Sequence, residues 1–246
     1  MATERPSFYA LSPGGWRDLV TILHPPYTLW LLSYVALGAA AAPQIHADRL
    51  VAALAAFFLA VGVSAHALDE LNGRPLRTRL SDGVLKGLAA VGLAGALAIG
   101  IAGIFIVSAT LIPFVVVGGF AVLAYNLELF GGRFHTDFWF AATWGAFPAL
   151  TGWWSNALAI DRVGDAIAAA GVVLGCFALS VAQRRLSTPV RELRRKTESV
   201  TGEQRLADGS VRELSVPALA APLDGALRTM SAALPVLAAG LVAVRL

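Results

Sequence analysis

The sequence predicts an all-α fold: a polytopic transmembrane helical bundle of about seven spans, forming a single membrane domain over residues 1–246. Three observations carry this expectation. First, 57% of the 246 residues are apolar and only 14% are charged, with a mean hydropathy of +0.68. A water-soluble domain averages about 45–50% apolar and about 25% charged residues, and it cannot hide such an excess of apolar surface. The composition excludes a soluble enzyme, a nucleic-acid-binding module and a disordered chain. Second, apolar runs of the about 20 residues needed to cross a hydrocarbon core recur along the chain. Third, the basic residues gather in alternate connecting segments, as they do on the cytoplasmic side of membrane proteins. That placement says more than the net charge of +3.

In chain order, residues 1–26 read as a cytoplasmic or interfacial segment. Residues 15–23 form a short interfacial helix there, with Trp16 and Arg17 at headgroup level. A cleaved signal peptide is the rival for 1–42, since 39–42 has the small residues of a processing site. The long leader with Glu4 and Asp18 argues against it. The first span, 27–42, follows Pro25 and Pro26, which suit a helix's first turn. Spans 50–71, 85–107 and 109–126 come next. Ser108, Thr110 and Pro113 separate the last two, because proline disfavours helical geometry in the residue before it. Spans 137–160, 164–183 and 225–244 complete the set. Residues 184–216 read as a basic cytoplasmic loop attracted to anionic membrane lipid, and 217–246 as a final amphipathic segment and helix. The single cysteine, Cys176, lies in an apolar run and has no intrachain disulfide partner.

Orientation follows from the basic residues. With the amino terminus inside, the inner segments hold Arg5, Arg17, Arg74, Arg77, Arg79, Lys86 and Arg133, then the run from Arg184 to Arg228. Only Arg49, Arg162 and Arg245 fall outside. The expectation is an integral membrane protein with a cytoplasmic amino terminus, in the cell membrane if the source is prokaryotic.

Two polar clusters interrupt the apolar pattern, both on the cytoplasmic side in this orientation. The first closes span two: His66, Asp69, Glu70, Asn72, Arg74 and Arg77. On a helix His66 faces Asp69 and Glu70 at i+3 and i+4, a set able to share Mg²⁺ or Mn²⁺. Solvated charges at an ordinary helix end, with Arg74 or Arg77 pairing Asp69 or Glu70, explain the same residues about equally well. The second cluster joins spans four and five: Tyr125, Asn126, Glu128, Arg133, His135 and Asp137. Gly131 and Gly132 permit a sharp turn there, and Thr136 or Asp137 can cap the next helix. Spans two and five also carry Phe57, Phe58, Phe138, Trp139, Phe140, Trp144, Phe147, Trp153 and Trp154. Membrane packing accounts for most such rings; an aromatic-walled cavity for an isoprenoid chain is the alternative.

At these clusters the chain resembles the UbiA superfamily of intramembrane prenyltransferases. Asp69-Glu70-Leu71-Asn72-Gly73-Arg74-Pro75-Leu76 is similar to the end of the family's first acidic motif and the basic loop that follows. Ala124-Tyr125-Asn126 and Asp137…Gly145-Ala146-Phe147-Pro148-Ala149-Leu150-Thr151-Gly152-Trp153 resemble its fourth and fifth spans, and His24-Pro25 resembles its entry segment. The resemblance covers roughly residues 15–185. It implies a UbiA-like bundle open laterally to lipid, in which Mg²⁺ binds the diphosphate of an isoprenoid donor. Ionisation then yields an allylic cation captured by a hydrophobic acceptor.

Carried onto this chain, the resemblance implies that His66, Asp69 and Glu70 hold the metal and that Asp69, Glu70, His135 and Asp137 serve the chemistry. Asn72, Arg74, Arg77, Tyr125, Asn126 and Arg133 would bind substrate. The chain departs from the family where a second acidic motif should close span six: Ser180-Val181-Ala182-Gln183-Arg184-Arg185-Leu186 has no carboxylate. It also has about two spans fewer, and Glu128 and Leu129 stand where a basic residue usually follows the tyrosine of span four. Prenyl transfer, with Mg²⁺ as cofactor and no nucleic-acid partner, is the leading expectation. A terpene cyclase and a non-catalytic lipid- or isoprenoid-binding protein are the alternatives.

Overall fold

The structure, a computed structural model, describes residues 6–246, of which Glu4 and Arg5 are not part. The chain is 74% helical. A short helix, α1 (Trp16–Ile22), leads into α2 (Pro25–Ala41), whose first turn holds both prolines as expected. The long helices α3 (Ala47–Leu71), α4 (Asp82–Ile106) and α5 (Ala109–Asn126) follow. After a turn through Glu128, Phe130, Gly131 and Gly132, all at positive φ, comes α6 (137–157). The chain continues through α7 (Val163–Arg195), a hairpin of β1 (Glu203–Arg205) and β2 (Val211–Glu213), and α8 (Val216–Ala243).

All seven apolar segments read from the sequence are helical. Five helices, α3, α4, α5, α7 and α8, are long and apolar enough to cross a membrane, and α1 with α2 makes a sixth if that pair, bent by 42°, is one span. The seventh segment, α6, is helical but outside that set. Its Thr, Ser, Asn and Gly residues dilute its hydropathy, and it is sheltered by protein: Ala149, Gly152, Trp153 and Asn156 are buried.

Helix α2 is the hub, packed between α6 and α8. Its approach to α6 rests on missing side chains. A methyl group at Gly38 would overlap the Ala149 carbonyl, and one at Gly152 would overlap the Val35 carbonyl. Small residues allow this backbone proximity where lipid supplies no hydrophobic drive for association. Around the seam Trp30, Tyr34, Val35 and Trp153 are fully buried, and Cys176 is buried on α7, as its apolar setting predicted.

Two helices contain π-helical stretches among the described residues. Helix α3 is π-helical over Phe58–Ala65 and α6 over Ala142–Ala146. Each residue added to a turn rotates everything beyond it by about 100°, so the face presented further on is not the one a 3.6-residue period continues.

The expected loop 184–216 is only partly a loop. Helix α7 runs for 33 residues, about 50 Å at 1.5 Å per residue, against a hydrocarbon core of about 30 Å. Its last turns, from Gln183 to Arg195, extend past the apolar section and carry the basic run as one ordered helical surface. The helix expected over 15–23 is α1. There the buried Asp18 accepts hydrogen bonds from the Gly14 N–H (3.0 Å) and the Arg79 N–H (2.9 Å), tying α1 to the loop after α3.

Candidate functional site: a basic cavity beside an apolar chamber

The start of α2, the end of α3, the end of α5 and the last turns of α7 meet at one end of the bundle around a cavity of about 180 Å³. Its polar lining is contributed from distant parts of the chain: His66 and Asp69 from α3, Tyr125 and Asn126 from α5, His135 from the turn before α6. Helix α7 adds Gln183, Arg184, Arg191, Arg194 and Arg195, and α8 adds Asp224. The α7 residues recur at three- and four-residue spacing, so a straight helix aims them at one place. The segment around Phe8 and Tyr9 covers the cavity, and Arg228 from α8 lies over the Phe8 ring.

Inside, the imidazoles of His24 and His66 stack with centroids 4.0 Å apart. The Tyr9 hydroxyl hydrogen-bonds His24 Nδ1 at 2.7 Å. Burial holds that phenol well above its ordinary pKa, so it stays protonated. His66 Nδ1 reaches the Gly62 carbonyl at 3.3 Å, a bond inside the π-helical stretch. His135 stacks on Tyr125 and meets its carbonyl at 3.1 Å. Arg194 pairs with Asp224 across α7 and α8, with side chains 13% and 7% exposed.

Buried polar atoms normally find partners, so those that do not are informative. Among the described residues the buried atoms without a partner include His24 Nε2, Arg194 Nε and Nη1, Arg195 Nε and Asp224 Oδ1. All of these belong to residues that line this one cavity; Ser64 Oγ and Trp153 Nε1 are the others. Most of the unpaired groups here are guanidinium donors, which call for an acceptor-rich, anionic ligand.

A second cavity, of about 150 Å³, lies deeper between α3, α4, α5 and α6. Phe57, Leu93, Phe114, Val122 and Phe147 wall it, and Arg49 and Ser155 stand at its far end. Val61 and Trp144 line both cavities. Each sits in a π-helical segment, so the wall shared by the polar and apolar spaces is built where both helices turn π-helical.

The structure sorts the residues expected from sequence. His66, Asp69, His135, Tyr125 and Asn126 come together at the basic cavity. Glu70 does not. It is 1% exposed, and its carboxylate accepts from the Leu76 N–H (2.9 Å), the Thr78 N–H (2.8 Å) and the Thr78 hydroxyl (2.9 Å). The loop after α3 folds back beneath the helix end and captures it. The expected metal set His66, Asp69 and Glu70 is therefore corrected: Glu70 anchors a loop.

Arg74 pairs with Asp82 and donates to the Leu80 carbonyl (2.5 Å), which shapes the same loop. Arg77 and Arg133 are exposed and outside the cavity lining. Asn72 is exposed and donates to Glu128 (3.3 Å). Asp137, 71% exposed, receives Arg184 Nε at 2.7 Å, while Thr136 is the residue that caps α6. Of these residues, expected to bind substrate or serve the chemistry, none lines the cavity, and Asp137 meets it through Arg184.

The Mg²⁺ that the resemblance implies does not suit this donor set. Mg²⁺ takes oxygen ligands in near-octahedral geometry. Here Asp69 shares the cavity with four arginines, Asp224 is engaged by Arg194, and Glu70 is turned away. Among the described residues no group of three or more His, Cys, Asp and Glu side chains is placed to hold a metal ion.

The aromatic residues divide as well. Phe57, Trp144 and Phe147 wall the chamber and Phe140 the basic cavity, while Phe58 and Phe138 are exposed. Comparison with protein-family models, with curated proteins and with solved structures gives no match. The chain stands as a helical protein with several candidate membrane spans.

Proposed function

We propose that this protein is an integral membrane protein, with the basic cavity on the cytoplasmic side, that binds an isoprenoid diphosphate. The diphosphate occupies the arginine-lined cavity and the chain passes Val61 and Trp144 into the apolar chamber. The observation that carries this reading is adjacency: a cavity with unpaired guanidinium N–H groups and an apolar one share Val61 and Trp144 in their linings. An amphiphile with a compact anionic head and a slender chain matches both halves. The excess of arginine near this end favours the cytoplasmic assignment.

Prenyl transfer to a hydrophobic acceptor is the second reading. It rests on the resemblance of 69–76 and 124–153 to the UbiA superfamily. It is also favoured by the rings of Tyr125, Phe140 and Trp144 beside the shared wall, whose faces suit an allylic cation.

The test uses purified full-length protein in detergent, offered geranylgeranyl diphosphate, geranylgeraniol and phosphatidic acid. Tightest binding of the diphosphate supports the proposal; equal or tighter binding of phosphatidic acid would indicate a general anionic-lipid site and overturn it. Val61→Phe should weaken the isoprenoid ligand and spare inorganic pyrophosphate. Mass analysis after incubation with an acceptor separates a conjugate (transfer), a cyclic hydrocarbon or alcohol (cyclisation) and unchanged ligand (binding alone).

A further inference from the structure

The residues implied as metal ligands do not assemble, yet the cavity is strongly basic. Its lining holds four guanidinium groups, Arg184, Arg191, Arg194 and Arg195, against the two carboxylates Asp69 and Asp224. With Arg184 paired to Asp137 at the rim, a surplus of one positive charge remains in a half-enclosed space, where water screens it less than in bulk. A diphosphate brings charge of opposite sign, with acceptor oxygens on every side.

The arginines are not equally free to meet it. Arg184 is held at the rim by Asp137 and lies over the Phe140 ring, 5.2 Å from its centroid. Arg194 gives one nitrogen to Asp224 and leaves Nε and Nη1 without partners. Arg195 leaves Nε unpaired. Arg191 donates from Nη2 to the Thr188 hydroxyl at 3.1 Å and lies about one turn before Arg194 and Arg195 along α7. A guanidinium presents parallel N–H groups that fit two phosphate oxygens at once, which a point charge cannot do.

We infer that the cavity binds a diphosphate directly on Arg191, Arg194 and Arg195, with no divalent cation, these guanidiniums standing where a metal ion would otherwise neutralise the head group. Asp224 orients Arg194, and Asp69 on the facing helix limits the net charge so that the empty cavity remains tolerable. The inference rests on the proposed function for the identity of the chain attached to the diphosphate, but not for the head-group chemistry.

The experiment titrates the full-length protein in detergent with inorganic pyrophosphate and, separately, geranylgeranyl diphosphate, each in EDTA and in excess Mg²⁺, by calorimetry. Pyrophosphate should bind in EDTA, with an affinity that excess Mg²⁺ does not strengthen, because Mg²⁺ sequesters the free anion. Arg191→Ala and Arg195→Ala should each weaken it about tenfold or more, and Arg191→Lys should recover only part of the loss. Thermal unfolding of each variant confirms that it is folded. Should one alanine variant fail to fold, the other and Arg191→Lys carry the test.

Binding that needs Mg²⁺ overturns the inference and leaves the isoprenoid reading standing. Pyrophosphate binding in EDTA with no gain from the geranylgeranyl chain upholds the inference and removes the isoprenoid reading. No binding in either buffer, or full affinity in the folded arginine variants, overturns the inference.

Discussion

Replacing Glu70 by alanine separates a loop anchor from a metal ligand. In the wild-type protein its carboxylate receives two backbone N–H groups and one hydroxyl, from Leu76 and Thr78, and these residues are only 2% and 7% exposed. Water cannot readily replace the lost acceptor, so the two backbone donors stay unsatisfied. At about 1–3 kcal/mol for each buried unsatisfied group, the cost is about 4 kcal/mol, with the Thr78 hydroxyl free to rotate toward another acceptor. A chain of this length loses about 2–4 °C of apparent Tm per kcal/mol, so the expected fall is about 8–16 °C.

Thermal unfolding in detergent, followed by intrinsic tryptophan fluorescence with and without Mg²⁺, reads the effect. Glu70→Gln should fall between the two, because its amide oxygen can still accept while its NH₂ opposes a donor. A shift of less than about 2 °C in Glu70→Ala would refute the anchoring role. So would a wild-type protein that Mg²⁺ stabilises and a variant that it does not, since Glu70 would then be acting on a metal.

Three further outcomes are expected. Gly152→Val should cost about 3 kcal/mol or more, because its side chain would overlap the Val35 backbone and force α2 from α6; Gly171→Ala, which faces open space, should not lower Tm in the same assay. Arg194→Ala and Asp224→Ala should each cost about 3–5 kcal/mol by leaving a buried charge unpaired, and the double variant should cost clearly less than the sum; additive losses in that cycle would show that the pair is not coupled. In the hairpin, hydrogen bonds from the Ser210 hydroxyl (2.6 Å) and N–H (2.9 Å) hold the Asp208 carboxyl below the usual carboxylate range. The hairpin is therefore stabilised at neutral pH, above the unfolded-state value, and loses that contribution as pH falls through the lower folded-state value. An NMR titration of the Asp208 carboxyl should place it below an ordinary aspartate in the wild type and move it part of the way back in Ser210→Ala, which keeps the backbone N–H bond.

The polar clusters were visible as sequence, but their partners were not. His66 and Glu70 stand four residues apart, a spacing that places them together on a helix. That inference fails at Glu70 because the loop through Leu76 and Thr78 folds back to take its carboxylate. Arg184, Arg191, Arg194 and Arg195 sat in what composition marks as a loop, since a charged stretch after an apolar span reads as its cytoplasmic end. Their three- and four-residue spacing was the available signal that the helix continues and aims them together. The roles of His24 and Asp224 had no local signal, because each is defined by a contact with a distant helix.

What the sequence determined by itself is the helical, membrane-compatible character of the chain and the approximate position of every long helix. Those depend on local sums: apolar residues transferred from water, proline at helix starts, glycine at turns. What only the tertiary structure decided is which charges face one another. The π-helical turns at Phe58–Ala65 and Ala142–Ala146 rotate the faces of α3 and α6, and the glycine seam at Gly38 and Gly152 fixes how closely α2 and α6 approach. A side chain's environment depends on rotation and distance between elements, and those follow from packing of the whole bundle. The same polar residues that read as a metal site along the chain thereby become, in space, a loop anchor, a rim and a cavity of arginines.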